Sequence, residues 1–206
     1  RRPGKARRTM RRPSGLRAAL SALLFLSAAS AARGQESDDL TCMKCHAAKE
    51  RPIDLPTIRS SAHSKLACTE CHADTTDEPH PAKLRRVNCG ACHEDAKQEV
   101  SKSIHAELAK KKVQDIPGCA SCHGTHDIYR KTDLRSKVNH LKVDATCLAC
   151  HADADVTKRH PNLPTPDFVK GFQGSVHGRA IHLKGLVVAA TCSDCHGHHS
   201  MRPKED

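Results

Sequence analysis

The chain has 206 residues, only 2% of them aromatic (three Phe, one Tyr, no Trp), and a mean hydropathy of −0.59. That supply is too small for the interior of large aliphatic and aromatic side chains that a chain of this length normally builds. The formal charge of +11 does not mark a nucleic-acid binder: residues 1–34 hold nine Lys or Arg and no acid, and beyond them 25 basic residues face 23 acidic ones, about +2.

In chain order, the first expected element is a targeting segment. "MRRPSGLRAALSALLFLSAASAARGQE" has a basic start (Arg11, Arg12, Arg17), an apolar run from Ala18 to Ala32, and small residues before the expected cut. This pattern predicts a secretory signal peptide over residues 1–34, cut near Ala32 to Gly34, with Met10 as the true start. A membrane anchor competes, but the uncharged run falls short of the roughly 20 residues that span a bilayer. The mature chain is therefore expected to be exported, in the periplasm or its equivalent.

Six copies of Cys-x-x-Cys-His follow. They are "CMKCH" (Cys42, Cys45, His46), "CTECH" (Cys68, Cys71, His72), "CGACH" (Cys89, Cys92, His93), "CASCH" (Cys119, Cys122, His123), "CLACH" (Cys147, Cys150, His151) and "CSDCH" (Cys192, Cys195, His196). Together they use all twelve cysteines. Between them the spacing predicts helices with one apolar face: Ala96, Val100, Ile104 and Leu108 recur every four residues, as do Phe168, Phe172, Val176 and Ala180. His105 and His177 each follow the third member of their stripe. The segments 101–127 and 173–200 form an internal repeat, in which His105 matches His177, Cys119 matches Cys192 and His126 matches His199. "SSAHSKLACTECH", with His63, is a shorter relative. "DEPHPAKLRR" and "KRHPNLPTPD" are charged, Pro-containing loops carrying His80 and His160.

The motif spacing carries chemistry. Two residues between the cysteines let one turn present both sulfurs to the two vinyl groups along one porphyrin edge, and the next residue aims its imidazole at the iron. Disulfides explain an even cysteine count but not a histidine after every second cysteine. Zinc knuckles use Cys-x-x-Cys pairs, but with histidines set several residues away. The reading is six haem c, anchored by all twelve cysteines, with His46, His72, His93, His123, His151 and His196 as proximal iron ligands. The other ten of the sixteen histidines supply distal ligands: His63, His80, His105, His126, His177 and His199 are the expected set. His140, His160, His182 and His198 are open between ligand and solvent-facing residue. Haem faces are then expected to replace the missing apolar core, and the haem-free chain to be largely disordered.

With these motifs, and with the phrases "SVHG…CSDCHG" and "CHGTHD", the chain resembles the periplasmic multihaem c-type cytochromes with bis-histidine haems, over about residues 40–200. The resemblance implies a mainly α fold with much irregular structure and little or no β, a haem-packed array, and electron transfer through closely spaced haems. It carries proximal roles to the six motif histidines and distal roles to His63, His105, His126, His177 and His199. Two imidazoles saturate an iron, and without an axial Met the potential is expected to be low. Expected partners are redox proteins, a quinol-oxidising membrane cytochrome or a periplasmic reductase, with no nucleic acid and with membrane association only through a partner. The alternatives are a multihaem reductase of the nitrite, hydroxylamine or tetrathionate type, and an electron-relay subunit of a larger membrane complex. The mature chain divides into a three-haem segment over 35–100 and another over 101–206, expected to be truncated at its C-terminal end because the second repeat lacks the CxxCH that follows the first.

Overall fold

Every regular element among the described residues of the computed structural model is a short helix. The structure describes residues 40–47, 52–77, 79–163 and 166–203, with backbone alone for 166–169; the expected signal peptide lies outside them. Helix α1 covers 40–46, followed by α2 (Leu55–Ser60), α3 (Cys68–Cys71), a 3-10 turn (Cys89–Ala91), α4 (Glu94–Val100), α5 (Ile104–Lys110) and α6 (Cys119–His123). Then come α7 (Val143–His151), α8 (Ala154–Arg159), α9 (Pro166–Gly174), α10 (Val176–Lys184) and α11 (Cys192–His196). No strand occurs among the described residues, and none of their helices is long and apolar enough to cross a membrane. The expected mainly α, irregular fold is what the chain adopts.

Each helix is shorter than the ~12–15 residues an isolated helix needs, so local capping sets its limits. Asp54 caps α2 and Asp153 caps α8 through their carboxylates. The expected long helix through Ala96 and Leu108 is instead two helices. Ser103 accepts from the Ala106 N–H at 3.1 Å, and its hydroxyl donates back to the Val100 carbonyl at 2.7 Å. The second copy breaks in the same way: Ser175 accepts from Gly178 N–H at 3.1 Å and donates to the Phe172 carbonyl at 2.7 Å. A serine hydroxyl offers the backbone an alternative to helix continuation, so the four-residue apolar period runs through both bends without marking them.

Among the described residues, the only buried hydrophobic side chain is Ile181; the other buried side chains named with it are polar, including Ser103, Ser136, Asp144 and Thr191. Polar ties join distant parts of the chain. His182 Nε2 meets Asp144 Oδ2 at 2.7 Å and links α10 to α7. His140 Nε2 donates to the Ala189 carbonyl at 2.8 Å. Arg159 and His160 both reach Asp115, at 2.8 and 3.1 Å. Asp144 is buried in its pair, whereas Arg159 and Asp115 are largely exposed and such exposed pairs are worth little. The described residues therefore contain no apolar interior that would order them.

Candidate functional site

Each Cys-x-x-Cys-His lies on or beside one helical turn. Residues three and four apart share a face of a helix, so both sulfurs and the following imidazole leave the backbone on one side. Motifs two, four and six add a cap of their own. Their third position (Glu70, Ser121, Asp194) accepts from the backbone N–H just ahead of the first cysteine, at 2.7, 3.2 and 2.7 Å. After His123 and His196 the chain turns at Gly124 (φ 93°, ψ −176°) and Gly197 (φ 82°, ψ 169°), a conformation that is essentially glycine's alone. Each turn sends the histidine three positions further on, His126 or His199, away from its own motif.

The imidazoles form five disjoint pairs. His46 faces His80 with ring centroids 5.9 Å apart and planes 8° apart. His63 faces His93 at 5.9 Å, His72 faces His126 at 6.2 Å, His105 faces His151 at 6.3 Å, and His123 faces His199 at 6.0 Å. Every pair joins one CxxCH histidine to one histidine outside the motifs, and none is shared. Two imidazoles coordinating one metal from opposite sides, each nitrogen about 2 Å away, hold their centroids about 6 Å apart. Direct ring stacking would need less. The donor set and its spacing fit a haem iron between each pair.

The second ring nitrogens sort the histidines further. Nδ1 of His80 donates to the Pro81 carbonyl at 3.0 Å, Nδ1 of His196 to the Arg202 carbonyl at 3.0 Å, and Nδ1 of His199 to Glu99 at 3.2 Å. Each bond fixes the ring and leaves Nε2 free to ligate, the support that metal-bound histidines usually have. In His140, His160 and His182 it is Nε2 that is engaged, by Ala189, Asp115 and Asp144. Nothing local in the sequence marks those partners. His198 is exposed, beside Asp194. His72 Nδ1 is buried without a partner among the described residues.

All sixteen histidines and twelve cysteines are among the described residues. Of the six expected distal residues, the structure sets His63, His80, His105, His126 and His199 opposite a motif imidazole. It sets no imidazole opposite His177, and none opposite His196.

Burial keeps several of these rings neutral. It pulls His105 and His151 below the ordinary imidazole value, with a neighbouring imidazole (His151 and His196 respectively) adding to the effect. Burial also lowers His123, helped by His199 and His93, and lowers His126, helped by His72 and opposed by Asp127. A neutral ring has the lone pair an iron needs. The unfolded chain protonates these rings first, so the stability they contribute is complete above about pH 6.5 and falls as the pH drops toward their lowered folded values. In an acid titration of the haem-loaded protein, the low-spin Soret spectrum is accordingly expected to hold unchanged from pH 8 down to about 6.5. Loss of ligation already between pH 8 and 7 would contradict this.

The cysteines follow an alternating register. Burial raises Cys89, and the adjacent Cys119 thiol raises it further; Cys147 is raised chiefly by its hydrogen bond with Cys192. Burial likewise raises Cys71 and Cys122, whose neighbours include Cys92 and Cys150. First cysteines thus meet between motifs three and four and between five and six, and second cysteines meet between two and three and between four and five. None of the twelve cysteines is in a disulfide. Among the described residues no group of three or more His, Cys, Asp or Glu side chains is placed to hold a metal ion.

A helical, strand-poor chain with cysteine–histidine turns and facing imidazole pairs has the features of a multihaem c-type cytochrome. Comparison with known proteins points the same way. The chain is similar to the multiheme cytochrome MtrA of Shewanella baltica (strain OS185), 27% identical over 130 residues. The match covers 62% of this chain and 35% of that protein, so the chain spans about a third of the relative's length. No protein-family model and no solved structure matches the chain.

Proposed function

We propose that the chain is an exported electron-transfer protein carrying six haem c, one on each CxxCH motif. The observation that carries this reading is the set of five one-to-one imidazole pairs at 5.9–6.3 Å. The twelve cysteines attach the haems through thioethers, and His46, His72, His93, His123, His151 and His196 are the proximal ligands. His80, His126, His63, His199 and His105 are the distal ligands of the first, second, third, fourth and fifth haems. Bound haem c supplies reversible Fe(III)/Fe(II) cycling at low potential. The protein fixes the rings of His80, His196 and His199 through Nδ1, keeps those of His105, His123, His126 and His151 neutral by burial, and offers two axial imidazoles at five of the six motifs, so that substrate has no place at those irons. The neighbouring cysteines of successive motifs would anchor adjacent haems close together, which suits transfer along the chain. The N-terminal segment supports export to the periplasm, where a redox protein would serve as donor or acceptor.

The 35–100 and 101–206 segments would work as one array, because His72–His126 and the Ala62 N–H to Ile128 carbonyl bond of 2.8 Å both cross from one to the other. The reductase reading draws on one feature, the His196 ring that faces no other imidazole. Intact-mass measurement of the exported protein, with pyridine haemochrome titration, is expected to give six covalent haems. Exported protein without added tetrapyrrole would overturn the proposal.

Two further outcomes follow from the geometry. The rings of His46 and His80 lie 8° from parallel, whereas those of His63–His93, His72–His126 and His105–His151 are tilted by 57°, 63° and 62°. Parallel rings split the iron d-orbitals that point between them, and crossed rings leave those orbitals nearly degenerate. Low-temperature EPR is therefore expected to show a rhombic low-spin signal from the first haem and strongly anisotropic signals from those three. Ala substitution of His80 should remove the rhombic signal and spare the others. At Gly124, an added Cβ would lie 2.3 Å from Asp127 Oδ1 in a backbone conformation closed to other residues. Gly124→Ala is expected to destabilise by about 1–3 kcal/mol and to loosen His126 from the second haem, read as a high-spin band in the visible spectrum. An unchanged spectrum and melting curve would argue against that role for the turn.

A further inference from the structure

The second and fourth motifs are built into the structure by the same scheme. His63, ahead of the second motif, faces His93 of the third; His105, ahead of the fourth, faces His151 of the fifth. His126, just past the fourth motif, turns back to His72 of the second; His199, just past the sixth, turns back to His123 of the fourth. The backbone repeats the scheme. The Ala62 N–H donates to the Ile128 carbonyl at 2.8 Å, and the Ile104 N–H donates to the Met201 carbonyl at 2.9 Å. Each donor is the middle residue of a Ser-x-His, and each acceptor lies two positions past a returning histidine. The two-motif stretch 89–128 therefore seats on the second motif as the stretch 147–201 seats on the fourth.

The sixth motif has the receiving half of this scheme with nothing seated on it. His177, in the third Ser-x-His, is exposed and opposes no imidazole. His196 opposes none either, although its Nδ1 is already held by the Arg202 carbonyl. The Val176 N–H, the counterpart of those of Ala62 and Ile104, has no partner among the described residues, and the Val176 side chain is 70% exposed. Leu183, on the same face of α10, is 72% exposed.

We propose that this edge is half of a two-haem junction, and that it receives a further two-motif stretch of multihaem polypeptide, CxxCH followed by CxxCHxxH. The histidine of the incoming first motif opposes His177, the returning histidine of the second opposes His196, and the carbonyl two positions beyond accepts from Val176. The inference rests on the haem reading above. A second copy of this chain does not fit, because its returning histidines, His126 and His199, and the carbonyls beyond them are engaged within their own array.

The test is carbon monoxide binding by the reduced, haem-loaded 206-residue protein, followed optically and calibrated against haem content. About one CO is expected per chain, at the His196 haem, with a matching high-spin ferric signal. His177→Ala should leave that stoichiometry unchanged, and His199→Ala should raise it to about two. Appending a second copy of residues 129–203 after residue 203 supplies the missing unit. The extended chain is expected to carry two more haems yet still bind about one CO, now at its new edge, and His177→Ala within it should raise this to about two. No CO binding by the six-motif chain, an effect of His177→Ala on that chain, or about three CO on the extended one would overturn the proposal. If His199→Ala and His105→Ala both leave CO binding unchanged in the six-motif chain, the ligand pairing itself is wrong, which is a separate failure. Should the extended chain not fold, the six-motif chain still decides by its CO count and its response to His177→Ala.

Discussion

Replacing all twelve cysteines with alanine, or exporting the chain without haem attachment, is expected to abolish the fold: a random-coil far-UV CD spectrum, no thermal transition, and rapid proteolysis throughout residues 40–203. The reason is the interior. Ile181 is the only buried hydrophobic among the described residues, while ordering each residue costs about 1–2 kcal/mol of backbone entropy. The helices run from four to nine residues, too short to persist alone, and of the ion pairs between distant segments only His182–Asp144 has a buried partner. What can offset the entropy is the porphyrin: several hundred Å² of macrocycle buried at ~25 cal/mol per Å² gives on the order of 10 kcal/mol per haem. The contrast with a substituted distal ligand is informative. His80→Ala keeps the haem and its two thioethers and should retain most of the helical signal, because covalent attachment and the proximal ring survive. A cooperative melt in the haem-free chain would show that residues 40–203 have an organising core of their own.

How much of this was legible in the sequence depended on how local the signal was. CxxCH is a five-residue pattern whose geometry follows from one helical turn, so the proximal positions could be read directly. The repeat drew attention to His105, His126, His177 and His199 because each stands at a fixed distance from a motif. The pairings were not readable, because they are long-range. His105 stands ahead of the fourth motif yet faces the fifth, and His126 follows the fourth yet turns back to the second. The helix through Ala96 and Leu108 was misjudged for a related reason. Ser103 sits in register with an unbroken apolar period, and only its hydrogen bonds to Val100 and Ala106 reveal a cap. His140, His160 and His182 remained ambiguous because the groups that occupy their Nε2 atoms, the Ala189 carbonyl, Asp115 and Asp144, are distant in sequence. An imidazole with Nε2 engaged by protein has to break that bond before it can reach an iron.

That distinction sets up the sharpest pair of substitutions. His126→Ala is expected to convert one haem, the one anchored by Cys68 and Cys71, from six-coordinate low-spin to five-coordinate high-spin. His160→Ala, an equally plausible change on sequence grounds, should leave the spin state of every haem unchanged. His126 is the ring opposite His72, 6.2 Å away, and no other imidazole is placed to substitute for it; His160 is held by Asp115 at 3.1 Å and faces no motif. Magnetic circular dichroism should show about a fifth of the low-spin intensity lost in the first variant and none in the second. The second haem lies inside the array, its Cys71 beside Cys92 of the third motif, so the change should also reach function. Losing one imidazole alters both the potential and the reorganisation of that iron. Reduction of the haems beyond it, followed by stopped flow from a small reductant confined to one end of the array, should slow in His126→Ala and not in His160→Ala. A His126→Met variant separates ligation from mere occupancy: a thioether restores the sixth ligand but raises the potential, so the low-spin spectrum should return while the second haem becomes the first to be reduced. If His126→Met stays high-spin, the ring opposite His72 is not within ligating distance of an iron, and the pairing that underlies the proposed function fails at the site where its geometry is most explicit.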